Sequence, residues 1–240
     1  MTEKYWYNKE VRLLDKKFGR NENELFFKQY TDEERDSIRA DMYFYFKTHR
    51  SMQKFENLKD SFHRSCADKF VSWYCGSGTE GSRIQTKIGS IIHALVFECV
   101  VSLALEKSGA VLHESPDVSV YRGDIWFSRA EDPDRVYRLE LKSSNKCHEH
   151  ASWMHLFIDH KYHLQEYKSS LCDVDYFLIN NPMVDDFAKI YVMTKEQFAD
   201  DNTKYSLPEY SAGIDNKVIT RIGNYRVCNL NNLYSILAQN

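Results

Sequence analysis

The stretch Gly123-Asp-Ile-Trp-Phe-Ser-Arg129, followed by Tyr137-Arg-Leu-Glu-Leu-Lys142, decides the fold. Each half has the composition of a short strand, since it mixes aromatic and aliphatic residues and lies next to turn residues. The segment Ala130-Glu-Asp-Pro-Asp134 between them is typical of a turn. The two halves therefore predict a β-hairpin in which residues 118–129 pair with residues 135–142.

Charged side chains gather on one side of this hairpin. Successive side chains of a strand point to opposite faces, so Glu140 and Lys142 share a face while the leucine before each of them points into the core. Pairing of the two strands places Asp124 opposite Glu140 or Leu141. Two converging carboxylates can bind a hard cation such as Mg²⁺, and a lysine beside them can orient an attacking water. The spacing therefore predicts metal-assisted phosphodiester hydrolysis.

The elements around the hairpin are typical of an α/β protein. An apolar helix is predicted over residues 83–107, and Ser108-Gly109 would end it. A second helix is predicted at about 152–171. Strands are predicted at Val111–Glu114, Asp175–Asn180 and Lys189–Met193, and a short helix follows Thr194. This order predicts a central mixed β-sheet flanked by helices.

Residues 1–82 are predicted to form a helical region, and residues 201–240 an appended hairpin and helix. Thr31 and Glu34 form a capping-box pattern that starts a helix toward His49, and another helix is predicted over 52–73. Near the end of the chain, Gly223-Asn224 separates two strand-like segments and predicts a hairpin.

The composition excludes several classes of protein. The 240 residues carry a net charge of −3, which excludes a chromatin-coating polycation but allows DNA binding by a local basic surface. The apolar window Ile88–Leu105 contains His93 and Glu98, which favours a buried helix over a membrane span. Six scattered cysteines without a CxxC pair, and an N-terminus without a signal-type apolar stretch, favour free thiols and a cytoplasmic location.

Asp124, followed by Glu140-x-Lys142 on the next strand, resembles the signature of the PD-(D/E)XK nuclease superfamily, which includes most type II restriction endonucleases. The resemblance covers roughly residues 83–194 and includes Glu98 on the preceding helix. It implies a restriction-endonuclease-like core over residues 83–200. It also implies sequence-specific, Mg²⁺-dependent hydrolysis of duplex DNA to 5′-phosphate and 3′-hydroxyl ends.

The same resemblance assigns a role to each site residue. Asp124, Glu140 and the backbone carbonyl of Leu141 would bind the metal. Lys142 would position the attacking water. Glu98 would support a second metal or a bound water.

DNA contacts and a dimer follow from this reading. Cleavage of a palindrome needs two sites related by two-fold symmetry, which implies a homodimer. Phosphates or bases could be bound by the residues just after the catalytic strand, although a polar loop is the simpler interpretation of these residues. They could also be bound by the residues after the Gly/Ser loop at 76–82, although a domain hinge is the simpler interpretation of that loop. The proposed DNA contacts are Ser143, Ser144, Asn145, Lys146, Arg83, Gln85 and Lys87.

Several residues allow another interpretation. Glu98 could instead be a helix-edge glutamate paired with a nearby Arg or Lys. Asp117 follows a proline, as in the family name, but hairpin pairing would place it opposite residues near 148, so Asp124 is favoured. Glu166-Tyr-Lys168 repeats the Glu-x-Lys letters on a predicted helix, where residues two apart do not share a face.

Two further alternatives concern function. The Cys and His residues between Cys147 and His163 could form a structural zinc site, but they lack the usual paired spacing. His155, Asp159 and His163 share one face of the predicted helix and could line a DNA channel or simply be solvated. The chain could also be a repair or recombination nuclease with the same core, or a nucleic-acid-binding module in which the acidic residues are structural.

Overall fold

The computed structural model describes residues 9–18, 30–75, 88–114, 123–143, 148–150, 153–158, 173–180, 187–199, 204–205, 218–222 and 225–239. The chain divides into two compact units, Met1–Val100 and Val101–Asn240. The boundaries that the sequence predicts, after residues 82 and 200, fall outside the described ranges, so they stay predictions.

Helices α1 to α3 belong to the first unit, and α4 runs across the division. They span Lys9–Phe18, Asp32–Thr48, Asp60–Cys75 and Ile88–Lys107. The capping box predicted at the start of α2 is confirmed. The Thr31 hydroxyl accepts a hydrogen bond from the Glu34 backbone N–H at 3.2 Å, and the Thr31 N–H donates to the Glu34 carboxylate at 3.0 Å.

Helix α3 begins eight residues later than the sequence predicts, at Asp60 instead of Met52. Residues 50–57 form turns, and Asn57 has a φ of 63°. This left-handed backbone conformation interrupts a helix, and asparagine is one of the few residues that adopt it readily. Met52 is fully buried within this turn segment.

Helix α4 ends where the sequence predicts. Gly109 has a φ of 93°, its N–H donates to the Glu106 carbonyl, and the Ala110 N–H donates to the Leu105 carbonyl, both at 3.0 Å. This pair of bonds is a Schellman motif, which needs a residue such as glycine in the left-handed conformation. Among the described residues, no helix has both the length and the apolar character that crossing a bilayer requires.

The second unit is built on a six-stranded mixed sheet, which confirms the predicted α/β class. Its strand order is β1-β2-β3-β6-β7-β10, and only the β3–β6 pair is parallel. The members of this sheet are β1 Val111–His113, β2 Ile125–Arg129, β3 Asp132–Ser143, β6 Tyr176–Asn180, β7 Ile190–Thr194 and β10 Arg226–Cys228. Every residue of β6 is buried, as expected of an inner strand that is covered on both faces.

The hairpin of β2 and β3 has the predicted antiparallel pairing. Ile125 pairs with Leu139 and Phe127 pairs with Tyr137, with an irregularity between Ser128 and Arg129. The Phe127 and Tyr137 rings stack at 5.4 Å between centroids. Extending this register by one residue brings Asp124 level with Glu140, within the range that the sequence predicts.

A second sheet of four strands replaces part of a predicted helix. It has the order β4-β5-β9-β8, with β4 at His148–His150, β5 at Trp153–Ile158, β8 at Lys204–Tyr205 and β9 at Val218–Ile222. The helix predicted at about 152–171 is therefore wrong over residues 153–158, and residues 159–172 lie outside the described ranges. Backbone pairing of β5 with β9, more than sixty residues away in the chain, favours a strand over the local helical pattern.

The hairpin predicted around Gly223-Asn224 is also wrong. The strands on either side of these residues exist, but β9 pairs with β5 and β8, whereas β10 pairs with β7 of the other sheet. The chain thus passes from one sheet to the other at this point. A turn signal in the sequence marks a change of direction, and it does not specify which strand each segment pairs with.

Two short helices are among the described elements of the second unit. Helix α5, Lys195–Ala199, starts after Thr194 as predicted, and the Thr194 hydroxyl accepts a hydrogen bond from the Gln197 N–H at 3.2 Å. Helix α6 spans Leu233–Leu237, and its last carbonyl groups lie next to Arg129, a buried arginine of β2. Arg129 donates to the carbonyl oxygens of Leu237 and Ala238, and its guanidinium lies 4.2 Å from the centre of the Tyr137 ring.

Replacing Arg129 tests this anchor of the C-terminal helix. We expect Arg129→Met to lower the free energy of unfolding by about 1–3 kcal/mol, because carbonyls at the end of α6 lose their charged donor. Urea denaturation measures the change. Arg129→Lys keeps the charge but cannot donate to both carbonyls in the same geometry, so its free energy of unfolding should lie between those of Arg129→Met and wild type. If Arg129→Met is as stable as wild type, Arg129 does not anchor the helix.

Candidate functional site

Asp124 is held at the start of β2 by two hydrogen bonds to β3. Its backbone N–H donates to the Leu139 carbonyl at 2.7 Å. Its carboxylate oxygen Oδ2 accepts a hydrogen bond from the Leu141 N–H, also at 2.7 Å. These contacts place the exposed Asp124 carboxylate beside the backbone on either side of Glu140.

Gly123 is what allows this close approach. Its φ is 80°, and a Cβ atom built on it would lie 2.8 Å from the Leu139 carbonyl oxygen. Any side chain at this position would therefore both strain the backbone and collide with β3. The absence of a side chain at Gly123 thus lets the backbone of Leu139 lie close to it.

Glu140 and Lys142 form an ion pair on one face of β3, as their spacing predicts. The Lys142 ammonium donates to Glu140 Oε1. Glu140 is only 3% exposed, whereas about a third of the Lys142 side chain is exposed. A buried carboxylate is costly unless a cation or several hydrogen-bond donors compensate its charge, and Lys142 supplies part of that compensation.

The neighbouring strand gives this ion pair apolar surroundings. Because β3 and β6 are parallel, Glu140 is level with Phe177, and Lys142 is level with Ile179. Both of these β6 residues are completely buried. Electrostatic interactions are stronger next to apolar groups than in bulk water, so charges at this position act strongly on any ligand.

Asp175 is a positioning residue that the sequence analysis did not identify. Its carboxylate accepts a hydrogen bond from the Arg138 N–H at 2.8 Å, and its own N–H donates to the Arg138 carbonyl at 2.9 Å. Burial raises the pKa of Asp175 above its usual value. These bonds fix the start of β6 against β3 two residues before Glu140. The available signal in the sequence was an aspartate directly before the strand segment Tyr176-Phe-Leu-Ile-Asn180.

Glu98 lies in the first unit and pairs with a lysine. Lys69 of α3 donates to the Glu98 carboxylate, whose side chain is 19% exposed. This is the pairing expected of a helix-edge glutamate. The role of Glu98 in supporting a second metal or a water stays a prediction.

The remaining proposed residues are only partly described. Ser143 is the last residue of β3 and is level with Asn180 of β6. His148 and His155 occupy paired positions of β4 and β5, so the helical face proposed for His155 does not exist. The residues outside the described ranges are Ser144, Asn145, Lys146, Arg83, Gln85, Lys87, Asp117, Cys147, Asp159, His160, His163, Glu166 and Lys168.

Within the described part of the chain, no group of three His, Cys, Asp or Glu side chains could hold a metal ion. The hairpin brings two carboxylates to neighbouring positions, those of Asp124 and Glu140. The described residues offer no third carboxylate beside these two.

Two glycines with similar backbones provide a matched test of the Gly123 contact. Gly109 also has a positive φ, but a Cβ built there meets no atom within 4 Å. Gly109→Ala should therefore lower the free energy of unfolding by about 1 kcal/mol, from backbone strain alone. Gly123→Ala should lower it by about 1–3 kcal/mol more, because its Cβ also collides with Leu139. Urea denaturation measures both, and equal losses would show that contact with Leu139 does not matter.

Comparison with known proteins yields no relative. No protein-family model matches the chain, and no curated protein and no solved structure matches it. The chemistry of this chain must therefore be inferred from the Asp124, Glu140 and Lys142 cluster on the hairpin.

Proposed function

We propose that this chain is a Mg²⁺-dependent, sequence-specific DNA endonuclease of the PD-(D/E)XK superfamily, with a restriction-endonuclease-like core and the activity of a type II restriction enzyme. The observation that carries this proposal is the hydrogen bond from the Leu141 N–H to the Asp124 carboxylate. It joins the aspartate to the Glu-x-Lys strand, so that three charged side chains gather at one end of a hairpin.

The order of the strands supports the proposal. The family resemblance calls for an aspartate strand next to a Glu-x-Lys strand, and for a strand pair farther along the chain. Strands β2 and β3 form the first pair, and β6 and β7 form the second, next to β3. One departure is that the connection from β3 to β6 includes the strands β4 and β5, where the sequence suggests a helix.

The available donor atoms fit a hard divalent cation. Asp124 and Glu140 supply carboxylate oxygens, and Leu141 can add its backbone carbonyl oxygen. Asp124 is exposed and accessible to a hydrated ion. The buried Glu140 carboxylate requires a cation beside it, a role that the Lys142 ammonium fills in this structure. A bound Mg²⁺ would neutralise charge on the phosphate and lower the pKa of a bound water.

The protein's own residues would then orient the reactants. Hydrolysis joins a water oxygen to phosphorus and breaks the bond from phosphorus to O3′, which leaves a 5′-phosphate and a 3′-hydroxyl. Lys142 is a donor in its ion pair with Glu140, so it would orient the water or bind the scissile phosphate. Glu140 would keep the Lys142 ammonium in place on β3. The buried Phe177 beside Glu140 would strengthen these interactions by excluding water.

A homodimer and contacts to duplex DNA belong to the same proposal. Cutting both strands of a palindromic site requires two copies of the hairpin site related by two-fold symmetry. The net charge of −3 means that binding would depend on local contacts and bound cations. Sedimentation of the protein with a cleavable duplex in Ca²⁺ would give the stoichiometry.

Plasmid cleavage tests the proposed activity. We expect discrete fragments from the wild-type protein with Mg²⁺. Asp124→Asn, Glu140→Gln and Lys142→Met should each slow cleavage by at least about 100-fold, because each removes a charged group that acts on the phosphate or the water. Initial rates from gel electrophoresis measure the loss.

The second Glu-x-Lys sequence provides a matched control. Glu166→Gln and Lys168→Met replace the same residue types elsewhere in the chain and should leave the rate of plasmid cleavage unchanged. Progressive degradation from ends would favour a repair or recombination nuclease with the same site. Binding of DNA without cleavage, or cleavage undiminished in Glu140→Gln, would overturn the proposed site.

Metal binding can be measured without any activity. Titration calorimetry with Mn²⁺ or Mg²⁺ should show a site whose affinity falls at least about 10-fold in Asp124→Asn and in Glu140→Gln, because each loses a charged oxygen ligand. A loss of metal affinity in Glu98→Gln would show that Glu98 is a ligand as well. Equal affinities in wild type, Asp124→Asn and Glu140→Gln would show that the hairpin carboxylates do not bind the metal.

A further inference from the structure

Two cysteine sulfur atoms meet between α3 and α4. The Sγ atoms of Cys66 and Cys99 are 3.2 Å apart, although the two residues are separated by 33 positions in the chain. Both are free thiols. Cys66 is 4% exposed, while Cys99 is partly exposed.

The contact is close enough for a bond to form with a small movement. A disulfide has an S–S distance of about 2.05 Å, so the sulfurs need to approach by roughly 1 Å. The ion pair of Lys69 with Glu98 joins the same two helices. Lys69 is one turn beyond Cys66, and Glu98 immediately precedes Cys99. A second contact therefore already holds the helices together beside the sulfurs.

We propose that Cys66 and Cys99 form a dithiol site that a peroxide oxidises to a disulfide linking α3 to α4, and that a reducing thiol returns to the dithiol. This inference does not depend on the proposed nuclease activity. It depends on the distance between the two sulfurs and on the neighbouring contact between the same helices.

The chemistry of the site balances with hydrogen peroxide as the oxidant. The thiolate of one cysteine attacks a peroxide oxygen, the O–O bond breaks, and the products are a sulfenic acid and hydroxide, which takes up the proton that the thiol released. The sulfur of the other cysteine then attacks the sulfenic sulfur, forms the S–S bond and releases a second water. Two thiols and one peroxide thus give one disulfide and two waters.

The short distance between the sulfurs favours reaction of this pair over the other described cysteines. The buried Cys75 and Cys228 have no described sulfur at a comparable distance. Among the described cysteines, oxidation should therefore select Cys66 and Cys99.

The cross-link would close a loop that contains residues with a proposed function. The residues between Cys66 and Cys99 include Arg83, Gln85 and Lys87, which the sequence suggests as DNA contacts. Closing a loop reduces the conformational entropy of the unfolded chain. The oxidised protein should consequently unfold at a higher urea concentration than the reduced protein.

Peptide mapping tests the proposal directly, because trypsin places each cysteine in a peptide of its own. Cleavage after Arg64 and Lys69 releases Ser-Cys-Ala-Asp-Lys, and cleavage after Lys87 and Lys107 releases the whole of α4. The full-length protein is treated with a small excess of hydrogen peroxide, alkylated and digested. We expect these two peptides to appear as one cross-linked species that dithiothreitol separates.

Serine variants supply the controls. Cys66→Ser and Cys99→Ser should each abolish the cross-linked species and retain one more titratable thiol than oxidised wild type. Cys75→Ser changes another buried cysteine of α3 and should leave the cross-link intact, with circular dichroism confirming that each variant folds. Alkylation of Cys66 and Cys99 after peroxide treatment, or a cross-link only between other cysteines, would overturn the proposal.

Discussion

The backbone contact between Gly123-Asp124 and β3 is the constraint on which the rest of the site depends. The Asp124 N–H and carboxylate are hydrogen-bonded to Leu139 and Leu141, one residue on either side of Glu140. A residue with a Cβ in place of Gly123 would collide with the Leu139 carbonyl. A conformational property of glycine thus determines where the Asp124 carboxylate lies relative to Glu140.

Burial of Glu140 gives the site its electrostatic character. A carboxylate beside the fully buried Phe177 loses most of its hydration, so it must have a cation close to it. Lys142 lies two positions along the same strand and provides that cation from a partly exposed position. The ion pair thus compensates the buried carboxylate from within the same strand.

Local signals in the sequence predicted the elements that depend on local interactions. The capping box at Thr31 and the glycine cap at Gly109 involve residues within one turn, and both are confirmed. The hairpin of β2 and β3 is also a local pairing, which explains why its register was predictable to one residue. Residues 153–158 were predicted as helix because their apolar spacing fits one, but pairing with the distant β9 makes them a strand. No local pattern contains that partner.

By itself, the sequence determined the α/β class, the adjacency of the aspartate strand to the Glu-x-Lys strand, and the shared face of Glu140 and Lys142, since each follows from strand periodicity and a short turn. Only the tertiary structure decided the partners of distant segments. It joined β9 and β10 to different sheets, aligned Asp175 with Arg138, and brought Lys69 and Cys66 to Glu98 and Cys99. The physical reason is that contacts between distant segments form only when they bury apolar surface together, and no sequence window shows which surfaces meet.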